Sequence, residues 1–123
     1  MTASRTRWFA RALSSAFGLP RTSTAIVDLL VRSSRHLSVI EIVQKLHKSE
    51  RSVRGNIALL IRRGVLERRA FVTAKNRLAY LYRLRPREEL LRAVRLQFEK
   101  NMTSLQRAAR ARPSPRSASF ERS

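Results

Sequence analysis

Between Ser38 and Gly64 the chain carries two short amphipathic helical patterns, each with its own start signal, separated by about three residues. The first begins at Ser38-Val39-Ile40-Glu41. In this Ser-x-x-Glu arrangement the Ser38 hydroxyl accepts from the backbone N–H of Glu41, while the Glu41 carboxylate accepts from the N–H of Ser38. Its apolar face is Val39, Ile42, Val43 and Leu46, and His47-Lys48-Ser49 interrupts it. Ser49 is a second N-cap, with Glu50 in the first turn beside the positive end of the helix dipole. Val53, Ile57, Leu60 and Ile61 then recur at helical spacing, and Gly64 is placed to end the helix in the left-handed conformation. Two apolar helices across so short a connection predict a helix-turn-helix.

The flanks extend this unit. Residues 20–34 predict a helix with Ala25, Ile26, Leu29, Leu30 and Val31 as its apolar stripe, Pro20 standing in the first turn or just before it. Leu37 and Ser38 form a short extended step. After Gly64 the apolar period shortens to two over residues 65–72 and 78–84. There Tyr80, Tyr82 and Leu84 alternate with Ala79, Leu81 and Arg83, which predicts a hairpin with one face on a core. Thr73 to Arg77 is its polar connector, with Asn76 suited to turn geometry. Pro86 restarts a helix whose first turn holds Glu88 and Glu89. In that helix Leu91, Phe98 and Leu105 repeat at every seventh residue, with Val94, Asn101 and Ala108 three residues on from each, a short a/d seam. From Ala109 the chain turns to Arg, Pro and Ser and reads as a disordered basic tail.

At the other end Trp8, Phe9, Ala12, Leu13, Ala16 and Phe17 fall at helical spacing and Gly18 stops the pattern. The first 27 residues lack acidic side chains and carry Arg5, Arg7, Arg11 and Arg21, a composition that an organellar transit peptide shares. The periodicity favours a structural helix. The expected layout is a basic N-terminal helix over 1–18, a core domain over 19–85, a C-terminal dimerisation helix over 86–108 and the tail over 109–123.

Composition narrows the function. Among 123 residues, 27 Lys and Arg stand against 8 Asp and Glu, a net charge of +19, which points to a polyanionic partner. The absence of Cys excludes disulfides and thiolate metal sites, and three glycines leave no room for a glycine-rich phosphate loop. His36 and His47 lack a second ligand at metal spacing, and Glu88 and Glu89 are helix-dipole partners rather than an acid–base pair. No enzyme activity, metal, cofactor or membrane span is expected.

Helix, helix-turn-helix, hairpin and long helix, in that order, make a winged helix: α+β, mostly α, with flanking N- and C-terminal helices. The stretch from Ser49 to Arg68, with its capped start, Val and Leu/Ile spacings, Arg62-Arg63-Gly64 and apolar strand, resembles the recognition helix of TrmB-like archaeal transcription regulators and, more distantly, of MarR-like regulators. The likeness runs from about Leu19 to Arg95 and includes Arg85-Pro86-Arg87-Glu88-Glu89-Leu90-Leu91, which is similar to the junction between wing and linker helix in TrmB-like proteins. The resemblance implies DNA binding and transcription regulation. No effector-binding domain follows in this sequence, so sugar sensing is not implied.

With Val53, Ile57, Leu60 and Ile61 on the core at about 100° per residue, the opposite face holds Arg51, Gly55, Ala58 and Arg62, with Lys48 and Ser52 to one side and Arg54 to the other. That face suits a major groove, where Arg grips guanine O6 and N7. Ser49 belongs to the same surface. Arg68, Arg69, Lys75 and Arg77 are expected near the hairpin tip, on backbone or minor groove, with Asn76 a base contact or a turn former and Lys45 and Lys48 on phosphates. Leu91, Val94, Phe98, Met102 and Leu105 form an apolar stripe that implies a homodimer, with Trp8, Phe9, Leu13 and Phe17 packing beside it. The competing reading folds the N-terminal helix over that stripe within one chain. The expected function is that of a dimeric, sequence-specific regulator on double-stranded DNA, in the cytoplasm or nucleoid. The alternatives are an architectural DNA-coating protein and an RNA- or ribosome-associated basic protein.

Overall fold

A computed structural model describes residues 3–33 and 35–111. The elements run α1 (Ala3–Phe17), α2 (Arg21–Arg32), α3 (Val39–Leu46), α4 (Glu50–Arg62), β1 (Leu66–Val72), β2 (Leu78–Leu84) and α5 (Arg87–Ala111).

Local chemistry sets most boundaries. At the start of α3 the Ser38 Oγ accepts from the Glu41 N–H at 3.2 Å and a Glu41 carboxylate oxygen accepts from the Ser38 N–H at 3.0 Å, so the capping box forms as the sequence predicts. Ser49 caps α4, its Oγ accepting from the Ser52 N–H at 3.1 Å. At the far end of α4, Gly64 has φ +78°. Its N–H reaches the Ile61 carbonyl, and the Val65 N–H reaches that of Leu60, which is the Schellman closure. His47 ends α3 in the left-handed region, φ 55°, a role its sequence position does not announce.

β1 and β2 pair antiparallel, Leu66 opposite Leu84 and Val72 opposite Leu78. Leu37 adds a third, one-residue edge: its N–H and carbonyl exchange hydrogen bonds with Tyr82 at 3.0 and 2.8 Å. The core lies where α2, α3, α4 and this sheet converge, around Ile26, Val27, Ile42, Val53, Leu60 and Leu66, all fully buried. α2 turns Ser23 and Val27 into that core beside the expected Ile26, Leu29 and Leu30.

The terminal helices differ from expectation in which face they bury. In α1 the inward residues are Ala10, Leu13 and Phe17, while Trp8 is 69% exposed. The helix packs on α2 and α5 of its own chain, so Leu13 and Phe17 are not available to a partner. α5 anchors through Leu90, which the seven-residue seam passes over, with Ala93 and Val94 half-buried behind it. Leu91, Phe98, Met102 and Leu105 stay exposed, so α1 does not cover the stripe. The helix also continues through Ala109, Arg110 and Ala111, past the expected end at 108, because Ala and Arg are strong helix formers. The tail expected beyond it falls, from 112 onward, outside the described residues.

One ion pair links the loop before α3 to its cap. The Arg35 guanidinium beside Glu41, followed by the Ser38 N–H, holds the Glu41 carboxyl below the usual carboxylate range. A depressed folded-state value means that the stabilisation is present above the ordinary carboxylate pKa and is lost as pH falls through the folded-state one. Glu41→Gln keeps the acceptor and removes the charge. It should lower stability at pH 7 by about 0.5–1 kcal/mol, a few degrees in Tm. The gap from wild type should close in thermal scans taken at progressively acid pH. A gap independent of pH would show that the charge contributes nothing.

Candidate nucleic-acid interface

Helix α4 is buried on one side only. Val53, Ile57 and Leu60 face the core, and Ile61 is half-buried beside them. The other side presents Arg51, Arg54, Gly55, Ala58 and Arg62 to solvent, with Lys48 and Ser49 exposed just ahead of the helix and Ser52 half-buried. The sequence-predicted face is therefore brought together as one surface.

A part-buried polar link ties α4 to α2. The Ser23 hydroxyl, fully buried on α2, donates to the Asn56 Oδ1 at 2.6 Å, and the Asn56 amide donates back to the Ser52 carbonyl at 2.8 Å. This inter-helix link fixes α4 against α2 and was invisible to apolar periodicity, since both partners are polar. At the first turn of α4 the Arg54 Nε donates to a Glu50 carboxylate oxygen at 2.9 Å.

Gly55 needs no special backbone, and a Cβ built there meets nothing within 4 Å. A glycine inside a helix costs about 0.5–1 kcal/mol relative to alanine. Internal packing therefore does not explain Gly55, which leaves open space on the outer face of α4.

The hairpin places its cations in two groups rather than one. Lys75 and Arg77 lie in the turn and are exposed. The turn is closed by the Thr73 N–H to the Arg77 carbonyl, 2.8 Å, and by the Asn76 N–H to the Thr73 carbonyl, 2.9 Å. Asn76 itself sits at φ 60°, so its backbone accounts for its presence. Arg68 and Arg69 are not at the tip. They pair with Tyr82 and Leu81 midway along β1, because strand register, not nearness in sequence, decides their place. Arg68 stacks over the Tyr80 ring, 4.5 Å from its centroid, and both Arg68 and Arg69 line a shallow cleft with His36, Glu67 and Arg83. Tyr82 is buried and Tyr80 half-buried, so neither ring forms an open stacking platform. Seven residues at about 3.3 Å each carry the tip on the order of 20 Å beyond Leu66.

Among the described residues no group of His, Asp or Glu could hold a metal ion, and no helix is long and apolar enough to cross a membrane.

No family model and no curated protein matches the sequence. Solved structures do. A "possible transcriptional regulator" from Methanosarcina mazei Go1 superposes with a TM-score of 0.67 at 11% identity, over 79% of this chain and 82% of that one. A structure described as a transcriptional regulator gives 0.56 at 24% identity, over 96% and 84%. A point mutant of S. aureus MepR bound to an oligodeoxyribonucleotide gives 0.51 at 14% identity, over 96% and 83%. These likenesses show the fold: the winged helix that the order of elements predicts, flanked by terminal helices.

Proposed function

We infer that this winged helix binds double-stranded DNA as a dimeric, sequence-specific transcription regulator. Helix α4 enters the major groove, and Lys75 and Arg77 of the wing reach backbone or minor groove. The observation that carries this reading is the two-sided character of α4. Its inner side is apolar and buried, and its outer side gathers Arg51, Arg54, Gly55, Ala58 and Arg62 on a chain of net charge +19. That two structural neighbours are described as a possible transcriptional regulator and a transcriptional regulator, and that a third is bound to an oligodeoxyribonucleotide, supports it.

Dimerisation belongs to the same reading. Helix α5 has 25 residues, about 37 Å, and leaves Leu91, Phe98, Met102 and Leu105 exposed along one side. A second copy related by a two-fold axis covers the stripe with its own and sets two α4 helices for successive major grooves.

Selection of the full chain against a random duplex pool at physiological salt tests the function. Enrichment of one pseudo-palindromic motif is the expected result. Retention without a motif would select an architectural role, and a preference for structured RNA would select the RNA-binding alternative.

Gly55 supplies a sharper check. Gly55→Ala should raise stability by about 0.5–1 kcal/mol, since the helix gains and the new methyl meets open space. The same change should weaken binding to the enriched duplex, because the methyl fills the clearance at the groove. Stabilisation with unchanged affinity would remove Gly55 from the interface.

A further inference from the structure

Glu50 is the one acidic residue between Lys48 and Gly64, on the surface that the reading above turns towards phosphates. It is half-exposed, as is its partner Arg54, so it is not a buried counter-ion that the fold demands. Its carboxylate accepts from the Arg54 Nε at 2.9 Å. A guanidinium carries five N–H donors in a planar fork, and this bond takes the one on Nε. The two terminal Nη groups are not used by this bond, and as an end-on pair they match the O6 and N7 acceptors of guanine.

We propose that Glu50 is a positioning residue that sets sequence specificity: it holds Arg54 as a fork for guanine and opposes binding to duplexes that do not offer that base. The proposal rests on the DNA-reading role of α4. A negative charge near the backbone weakens attraction to every duplex alike. Where Arg54 meets guanine, a bidentate contact made without further ordering of the side chain offsets that repulsion. Where it does not, the repulsion stands. Glu50 thus widens the difference between right and wrong sites rather than adding affinity. A simple helix-dipole role for Glu50 makes a different prediction, since any acid in the first turn would serve it and discrimination would not depend on Arg54.

The test uses the full chain, the enriched duplex and a scrambled duplex of the same length and composition, with equilibrium titrations of each. Glu50→Gln should tighten the scrambled duplex about twofold to threefold, as expected for removing one exposed charge. It also replaces a charge-assisted bond to Arg54 by a weaker neutral one, so the enriched duplex should stay near wild type and the ratio between the two duplexes should narrow by about that same twofold to threefold. Glu50→Asp keeps the acid at the helix start but shortens the reach to Arg54, so it should narrow the ratio while leaving the unfolding midpoint near wild type. In an Arg54→Ala background, Glu50→Gln should narrow the ratio no further. Equal shifts on both duplexes, or the same narrowing from Glu50→Gln in the Arg54→Ala background, would overturn the proposal while leaving DNA binding intact. A wild-type chain that binds both duplexes equally would overturn it together with the sequence-reading role of α4.

Discussion

Replacing Phe98 with Glu should convert the proposed dimer to a monomer and lower its affinity for a two-half-site duplex by about 10²- to 10⁴-fold, the range lost when two linked binding events become independent. Phe98 sits midway along the α5 stripe and is 63% exposed within one chain. A charge there meets water in the monomer and apolar surface in the dimer, so its cost falls on association alone. Sedimentation gives the mass directly. Two further readings separate lost association from misfolding. The wild-type unfolding midpoint should rise with protein concentration, as it must when association stabilises the folded chain, and the variant's should not. Affinity for a single half-site should be nearly unchanged. An unaltered mass would show that the exposed stripe does not join two copies.

Why the stripe was legible and its neighbours were not follows from the range of the interactions involved. The capping box at Ser38, the Ser49 cap, the Gly64 closure and the hairpin boundaries are decided within about five residues of chain, and each appears where the residues predict it. The facing of α1 depends on α2 and α5, which no local period encodes. Trp8 therefore falls on the apolar stripe of the sequence and lies outside the core, while Ala10 falls off that stripe and is buried. Leu90 escapes the pattern for a related reason: the seven-residue repeat follows the outer seam of α5, whereas the anchor is set by where Pro86 delivers the helix onto the core. Nearness in sequence groups Arg68 and Arg69 with the wing tip, whereas the pairing with Tyr82 and Leu81 puts them midway along the strand. The Ser23–Asn56 link joins two polar residues 33 positions apart, a contact that only the folded arrangement reveals.

The inner and outer sides of α4 should fail in different ways, and that contrast carries the second large prediction. Leu60 is fully buried beneath the helix, and Leu60→Ala leaves a cavity as well as lost apolar contact. The expected loss is about 2–5 kcal/mol. Against a typical domain stability of about 5–15 kcal/mol, that removes a large share of what holds the chain folded. At roughly 4–8 °C per kcal/mol for a domain of this size, the midpoint should fall by tens of degrees. Arg62, two residues on, points to solvent. Arg62→Ala should leave the midpoint within about 0.5 kcal/mol of wild type and reduce the salt slope of DNA binding by about 0.9, one phosphate contact. The Leu60 variant, once folded, presents the same cations and should keep the wild-type salt slope. Its unfolding midpoint should also rise on adding the enriched duplex, because a ligand bound only by the folded state stabilises that state by mass action. Thermal scans with and without DNA, set beside salt titrations of both variants, measure all four quantities. If Leu60→Ala altered the salt slope while Arg62→Ala did not, the cationic side of α4 would not be the surface that meets DNA.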